Sequence, residues 1–332
     1  MSDIKPTVAI SLAAPPAPIR DAIKAGLGSQ AKPVWLSACE GDEARGAALA
    51  GAAALMGMRL HVEISAAEWP MLGHMRLIQT LSAGVDFLPF DLLPQGVPVA
   101  ANRGAYAAPM AEHGLAMILA AMKDLRGRER QMGTGHFNQW EPVRQLAGAT
   151  VAILGYGGIG AELARLLAPF DCRIIAINRS GVAEGPGVAH AATLASLPAV
   201  LAEADVVVLT LSLNRATRGV IDTTALQTMK DDAVLVNLAR GALINEAALH
   251  ARLVKHPHFL ACLDAWWSEP FIHGRFETGH DFLSLPNVIG SPHNSAQVPG
   301  IHVHGARRAA ENVARVLAGQ PPLYLVGPEE RP

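Results

Sequence analysis

The sequence predicts an α/β protein built from two doubly wound parallel-sheet domains with a cleft between them. Three observations lead there: short apolar runs alternate with helix-forming stretches, one such run opens into a glycine-rich turn and a helix, and 332 residues exceed what one core usually fills. Hydrophobic residues make up 50% and charged residues 17% of the chain, below the usual ~25% charged, so much of it should be buried. A net charge of -2 supplies no broad cationic surface, and nucleic-acid binding is not indicated. Cys39, Cys172 and Cys262 fit neither a disulfide framework nor a zinc signature, which points to a reducing cytoplasm and no metal. The N-terminus lacks a signal-peptide pattern. Ala48 to Met58 is too short to cross a bilayer and reads as a buried strand, so no membrane association is expected.

Taken in order, Val8 to Leu12, Val34 to Leu36 and Ala52 to Leu55 are early strands, and the first hundred residues form one α/β unit. Leu77 to Leu81 runs into Ser82-Ala83-Gly84-Val85-Asp86, either an ordinary strand-end turn or one whose Ala83 and Gly84 bring backbone N–H groups to a ligand. After Val97 to Ala101, the stretch Pro109 to Leu119 is helical and apolar on more than one face, implying burial between domains or subunits. A second α/β unit begins at Thr150 and continues to about Ser291. Its strands are Thr150 to Leu154, Arg173 to Ile177, Val206 to Leu209, Val234 to Asn237, Phe259 to Leu263 and Val288 to Gly290. Gly305 to Leu317 has helical apolar spacing and returns to the first unit.

Within Gly155-Tyr156-Gly157-Gly158-Ile159-Gly160, the glycines form G-x-G-x-x-G between a strand and a helix. The first permits the tight turn, the second admits a pyrophosphate close to the backbone, and the third lets helix and strand pack. That is a Rossmann-like dinucleotide cradle. The next strand ends in Asn178-Arg179-Ser180, where an NAD site normally carries an acid. With no carboxylate to repel a 2′-phosphate, and with a guanidinium and a hydroxyl on offer, NADP(H) is expected over NAD(H). Alternatively, Arg179 lies flat on the adenine and discriminates little.

Arg240 stands beyond the carboxyl end of Val234 to Asn237, where ligands bind in open α/β sheets. It either pairs with a carboxylate such as Glu246 or holds a substrate carboxylate and polarises the adjoining keto oxygen. His293, after Pro292 at the end of another strand, is the candidate proton donor. Glu269 is either a solvated loop acid or the carboxylate that orients His293 and favours its protonated form. Asp264 either caps a turn or accepts from a nicotinamide amide. His256, His258, His302 and His304 read as surface or packing residues.

Together these segments, with Leu81 to Asp86, Ala111-Glu112-His113, Val236 to Gly241, Leu263-Asp264-Ala265-Trp266, Glu269-Pro270 and Ser291-Pro292-His293, resemble the D-isomer-specific 2-hydroxyacid dehydrogenase family over nearly the whole chain. The resemblance implies a discontinuous, flavodoxin-like substrate-binding domain of residues 1–100 and 300–332, and a Rossmann domain of residues 101–299 that builds a homodimer. It implies reversible hydride transfer between NAD(P)(H) and a small 2-oxo or 2-hydroxy acid. Arg240 would hold the substrate, His293 act as acid and base, Glu269 as its partner, and Asp264 serve the nicotinamide end. Leu211, Ser212, Leu238 and Ala239 are further cofactor-binding candidates, and Arg59, Ala83 and Gly84 further substrate-binding candidates.

Two positions depart from the family pattern: Ser212 replaces a usual proline, and Asn245 a common acid, which touches the adenine pocket and local capping. Gly57-Met58-Arg59 resembles a segment that some phosphoglycerate dehydrogenases turn toward a phosphate, but His61 stands at the neighbouring basic position. Trp266, Trp267 and Phe271 either wall an apolar pocket or pack. Glyoxylate or hydroxypyruvate is the expected substrate. A dinucleotide-sensing, corepressor-like binding protein and a phosphite or formate dehydrogenase are the alternatives.

Overall fold

The computed structural model describes residues 5–330. Its chain forms two compact units, one running to Tyr106 and resuming at Val298, the other Ala107–Gln297.

The first unit carries five parallel strands, β1 Thr7–Ile10, β2 Lys32–Trp35, β3 Ala52–Gly57, β4 Leu77–Thr80 and β5 Val99–Ala100, in the order β2-β1-β3-β4-β5. Side chains alternate across this sheet, so Val8 and Ile10 enter one core and Ala9 the other. Helices Ala17–Leu27 and Ile301–Leu317 cover one face and pack on each other closely. A Cβ on Gly26 would stand 2.6 Å from the Arg307 carbonyl oxygen, so the crossing needs glycine there. The chain beyond Gly319 runs antiparallel to β5, where Ala101 N–H donates to Tyr324 O at 3.0 Å and Val326 N–H to Val99 O at 2.8 Å. It therefore covers a sheet edge that would otherwise offer unpaired backbone groups.

The second unit has seven parallel strands: β6 Thr150–Leu154, β7 Arg173–Ile177, β8 Val188–Ala192, β9 Val206–Leu209, β10 Val234–Asn237, β11 Leu260–Leu263 and β12 Val288–Gly290. Their order is β12-β11-β10-β9-β6-β7-β8. Both faces are apolar, as a sheet sandwiched between helices requires, with Ala152 and Leu154 on one side and Val151 and Ile153 on the other. Helix Ala107–Met122 buries Ala111, Gly114, Met117, Ile118, Ala121 and Met122 within this unit. One face of it is thus buried inside the unit, while Ala108 and Ala116 stay exposed and Leu115 and Leu119 half-buried.

Several expected elements shift. Ala48 to Ala50 finish helix Gly41–Ala50 rather than open a strand, because alanine continues a helix until Gly51. Leu36 and Leu81 lie beyond their strands. Strand β8 was not expected; it is an edge strand whose Ala189 and His190 are exposed, so no apolar run announces it. Among the described residues no helix is long and apolar enough to cross a membrane.

Candidate active site

Parallel register sets the site. Asn237, Leu263 and Gly290 are Cα partners across β10, β11 and β12, so Arg240, Asp264 and His293 leave one edge of one sheet. The buried Asn237 shapes the first exit: its Oδ1 accepts Ala239 N–H at 3.0 Å and its Nδ2 donates to Arg240 O at 2.9 Å. Gly241 follows because a Cβ there would collide with the backbone of Trp266 and Trp267. The Arg240 turn therefore rests directly on the segment leading to Glu269.

Trp266 joins the next two exits. Its backbone N–H donates to Glu269 Oε1 at 2.6 Å, and its indole Nε1 donates to Ser291 O at 2.8 Å. Glu269 Oε2 lies 2.6 Å from His293 Nδ1. The Glu269 side chain is 11% exposed and that of His293 33%, so a largely buried carboxylate supports a more accessible imidazole. With Nδ1 directed at Glu269, the ring presents Nε2 as its working tip. His293 itself is left-handed at φ 51, a strain of ~1–3 kcal/mol in a non-glycine residue that neighbouring contacts must hold. Asp264 supplies them: Oδ1 accepts Ser291 Oγ–H at 2.5 Å and Asn294 N–H at 3.1 Å, and Oδ2 accepts Ser295 N–H at 3.2 Å. His113 Nε2 reaches Ser291 Oγ at 3.1 Å and closes the cluster.

The glycine turn separates into three distinct environments. Gly155, at φ 105, leaves no room for a Cβ, which would stand 2.6 Å from Leu211 N. On Gly160 a Cβ would meet the Gly155 carbonyl oxygen at 2.5 Å, which holds helix Gly158–Leu167 against β6. On Gly157 nothing lies within 4 Å, so the backbone there borders open space. An open position between two sterically fixed ones fits a dinucleotide pyrophosphate at the helix N-terminus. Thr210 Oγ1 donates to Gly155 O at 2.7 Å and secures the turn. Tyr156, Gly158 and Ile159 lie along it, with burial holding the Tyr156 phenol above its usual range.

At the end of β7, Asn178 and Ser180 build their own turn: Asn178 Oδ1 accepts Ser180 Oγ–H at 3.0 Å and Gly181 N–H at 2.8 Å. The exposed residue between them is Arg179. Leu211 and Ser212 follow β9, and Thr217 Oγ1 donates to the carbonyl of Ser212, the residue that replaces the usual proline, at 2.7 Å. Leu238 is 0% exposed and its side chain packs on Gly114, so its side chain belongs to the core and its backbone is what the cofactor role expected of it would use. Ala239 is nearly as buried. Asp264 is also 0% exposed and serves as the turn anchor described above. Glu246 accepts Gly279 N–H at 2.5 Å, and Asn245 caps helix Glu246–Lys255 by accepting Ala248 N–H at 3.0 Å, which settles the local capping. Trp266 is 6% exposed and Trp267 stacks on Phe282 at 5.1 Å, so both pack, while Phe271 is exposed.

The chain's residues 115–295 match the model of the D-isomer specific 2-hydroxyacid dehydrogenase NAD binding domain. The chain belongs to the D-isomer specific 2-hydroxyacid dehydrogenase family. That membership makes it an NAD(P)-dependent oxidoreductase acting on CH–OH donors. The dehydrogenase is 29% identical over 259 residues to dehydrogenase efuE of Hormonema carpetanum, a match that spans 77% of this chain and 63% of that one. It is 27% identical over 253 residues to human glyoxylate reductase/hydroxypyruvate reductase, covering 75% and 76% of the two chains. The crystal structure of a D-isomer specific 2-hydroxyacid dehydrogenase from Xanthobacter autotrophicus Py2, in complex with NADPH and MES, matches it with a TM-score of 0.82 at 27% identity, over 98% of each chain.

The substrate candidates outside this unit lie at the carboxyl edge of the first sheet. Ala83 and Gly84 follow β4 in a turn that Ser82 Oγ closes by donating to Gly84 O at 2.8 Å. Arg59 follows β3, and its backbone N–H donates to Glu63 Oε1 at 2.9 Å. Glu63 escaped the sequence reading, as did Ser291 and Thr210. Ser291 had a signal, since it precedes Pro292-His293 in the same motif; Glu63 had only local partners, Met58 and Arg59, to announce it, and its bond to Ser11 spans 52 residues.

Proposed function

We propose that the protein reduces a small 2-oxo acid, glyoxylate or hydroxypyruvate, to the D-2-hydroxy acid with NADPH. The reading rests above all on the 2.6 Å contact of Glu269 Oε2 with His293 Nδ1, on the same sheet edge as Arg240. A nicotinamide dinucleotide supplies the hydride when bound. Arg240 holds the substrate carboxylate and draws electron density toward the keto oxygen. His293 Nε2 gives the proton that converts this oxygen to a hydroxyl, and Glu269 steadies the ring before and after. Ala83, Gly84 and the Arg59 loop are the proposed contacts for the rest of the substrate, and Asp264 is proposed to accept from the nicotinamide amide. NADPH is favoured because Arg179 is exposed at the end of β7 and positions 178 to 180 carry no acid.

A small, singly charged substrate is favoured by the state of the first sheet's edge. Glu63 already neutralises the donors there: Oε2 accepts Ser11 Oγ–H at 2.6 Å and Met58 N–H at 3.1 Å, and Oε1 accepts Arg59 N–H. His61 adds no charge, since burial first and the Arg59 guanidinium second hold it below its usual range. A phosphate on the substrate would compete with an anion already in place. The protein is further proposed to be a cytoplasmic homodimer, supported by Phe137 and Trp140, which are 73% and 84% exposed on the second unit and suit a partner copy.

Steady-state assays of glyoxylate, hydroxypyruvate and branched or aromatic 2-oxo acids, each with NADPH and NADH, test the reading. Turnover of the first two with at least about tenfold higher kcat/KM for NADPH is expected. Inactivity on every 2-oxo acid removes the activity, and a tenfold preference for NADH removes the cofactor assignment. Sedimentation analysis tests the dimer.

A further inference from the structure

We propose that the first unit carries a second binding pocket, for a small dicarboxylate, walled by Arg308 and Arg315. A cavity of about 370 Å³ lies between helix Ile301–Leu317, the ends of β4 and β5, and the chain at Leu323 and Tyr324. That volume falls within the ~300–1,000 Å³ typical of small-molecule pockets. It shares no residue with the Arg240–His293 site.

The amides of the floor are engaged by the protein itself. Asn312 Nδ2 donates to Gln79 Oε1 at 2.7 Å and to Leu323 O at 3.1 Å, and Gln79 Nε2 donates to Thr80 O at 2.8 Å and to Ala100 O at 3.2 Å. The walls are different. Arg308 Nη2 donates to Arg103 O at 2.9 Å and to the Tyr324 hydroxyl at 2.6 Å, yet its Nε is buried without an acceptor. Arg315 spends only Nε on the protein, donating to Pro321 O at 2.7 Å, so the outer side of its guanidinium fork is available. A buried guanidinium N–H without an acceptor carries a substantial desolvation cost, which an anion relieves.

Charge and spacing specify the ligand. Glu311 also lines the cavity, with Oε1 engaged by Arg307 Nε at 3.0 Å, so the lining sets two guanidinium groups against one partly paired carboxylate. Seven residues separate them on one helix, roughly 10 Å along its axis, so they address two ends of an extended molecule rather than one point. Guanidinium forks match carboxylates in geometry. Tyr324 supplies a ring surface beneath Arg308, whose guanidinium carbon lies 5.1 Å from the ring centroid. It does so from a left-handed backbone at φ 57, a strained conformation that the pairing of the tail with β5 maintains.

Titration calorimetry with succinate at low ionic strength tests this, with acetate as the singly charged control and Arg240→Gln protein to remove carboxylate binding at the catalytic site. Succinate is expected to bind the wild type and Arg240→Gln alike and acetate to bind poorly. Arg315→Gln should weaken succinate about tenfold, and Arg315→Lys should restore part of the loss. Should Arg315→Gln melt early, Leu323→Asp is the substitute; it places a negative charge on an exposed wall residue and should abolish binding. Absence of succinate binding at millimolar concentration, binding lost in Arg240→Gln, or binding unchanged in Arg315→Gln or Leu323→Asp overturns the proposal. Because none of these outcomes reads turnover, failure here leaves the reductase reading intact, and failure of that reading leaves this pocket intact.

Discussion

Gly57, at the end of β3, and Gly157, just after β6, flank the points where strand order reverses in the two sheets and meet opposite surroundings. Each stands near the carboxyl edge of a parallel sheet where strand order reverses, between β1 and β3 in one and between β6 and β9 in the other, the position at which α/β sheets bind ligands. A Cβ on Gly57 would collide with Ser11 Oγ, Glu63 Oε2 and Leu60, whereas one on Gly157 would meet nothing within 4 Å. The first edge is filled by the chain's own carboxylate; the second is left for an external anion. The glutamates diverge in parallel. Both oxygens of Glu63 are consumed by local donors, while Glu269 gives one to Trp266 N–H and the other to His293. One carboxylate stabilises a loop, and the other keeps an imidazole in working order.

The strongest way to break this contrast is to remove what Glu269 supports. His293→Ala should lower kcat by about 10²–10⁴-fold with little change in NADPH affinity, since only the proton transfer is lost. Single-turnover rates and a cofactor titration decide it; a near-normal kcat means the pair is structural. Next comes the open glycine. Gly157→Ala should weaken NADPH by about tenfold or more, ~1.4 kcal/mol, with an unchanged melting temperature. Gly155→Ala should instead destabilise the fold by ~1–3 kcal/mol, because its left-handed backbone and the Leu211 amide leave no room. Equal loss of stability in both would erase the distinction between a ligand-bordering glycine and a packing one.

How legible this was differs by element for physical reasons. Strands β6, β7, β9 and β10 match their expected bounds because both sheet faces are buried and the apolar runs are continuous, and the short edge strand β12 matches as well. Strand β8 escaped because half of it faces solvent. Local motifs disclosed Arg240, Glu269 and His293, whose residue types are dictated by what they do. The groups that position them were less visible: Trp266 acts through a backbone N–H and an indole N–H, Asp264 through amides thirty residues on, and Glu63 through a partner in β1's exit. Such contacts depend on register between distant strands, and no single segment encodes them.

A milder change sharpens the comparison at Glu269. Glu269→Gln keeps a hydrogen-bonding oxygen beside Nδ1 but removes the negative charge that supports the ring during proton transfer. The kcat for reduction should drop about tenfold with little change in NADPH affinity. A kcat equal to that of the wild type would reduce Glu269 to a packing residue.

The smallest effect belongs to the filled edge. Glu63→Ala strips an acceptor from Ser11 Oγ and from the Met58 and Arg59 amides, and should cost ~1–3 kcal/mol of stability, read by urea unfolding. Those donors then face solvent or a ligand next to Arg59. The ratio of kcat/KM for phosphohydroxypyruvate to that for hydroxypyruvate should rise several-fold, up to about tenfold, because a substrate phosphate can take the place the carboxylate vacated. The sign is the informative part. A loss of stability with no change in the ratio would place the Arg59 loop outside substrate selection, and the contrast between the two glycines would then concern folding alone.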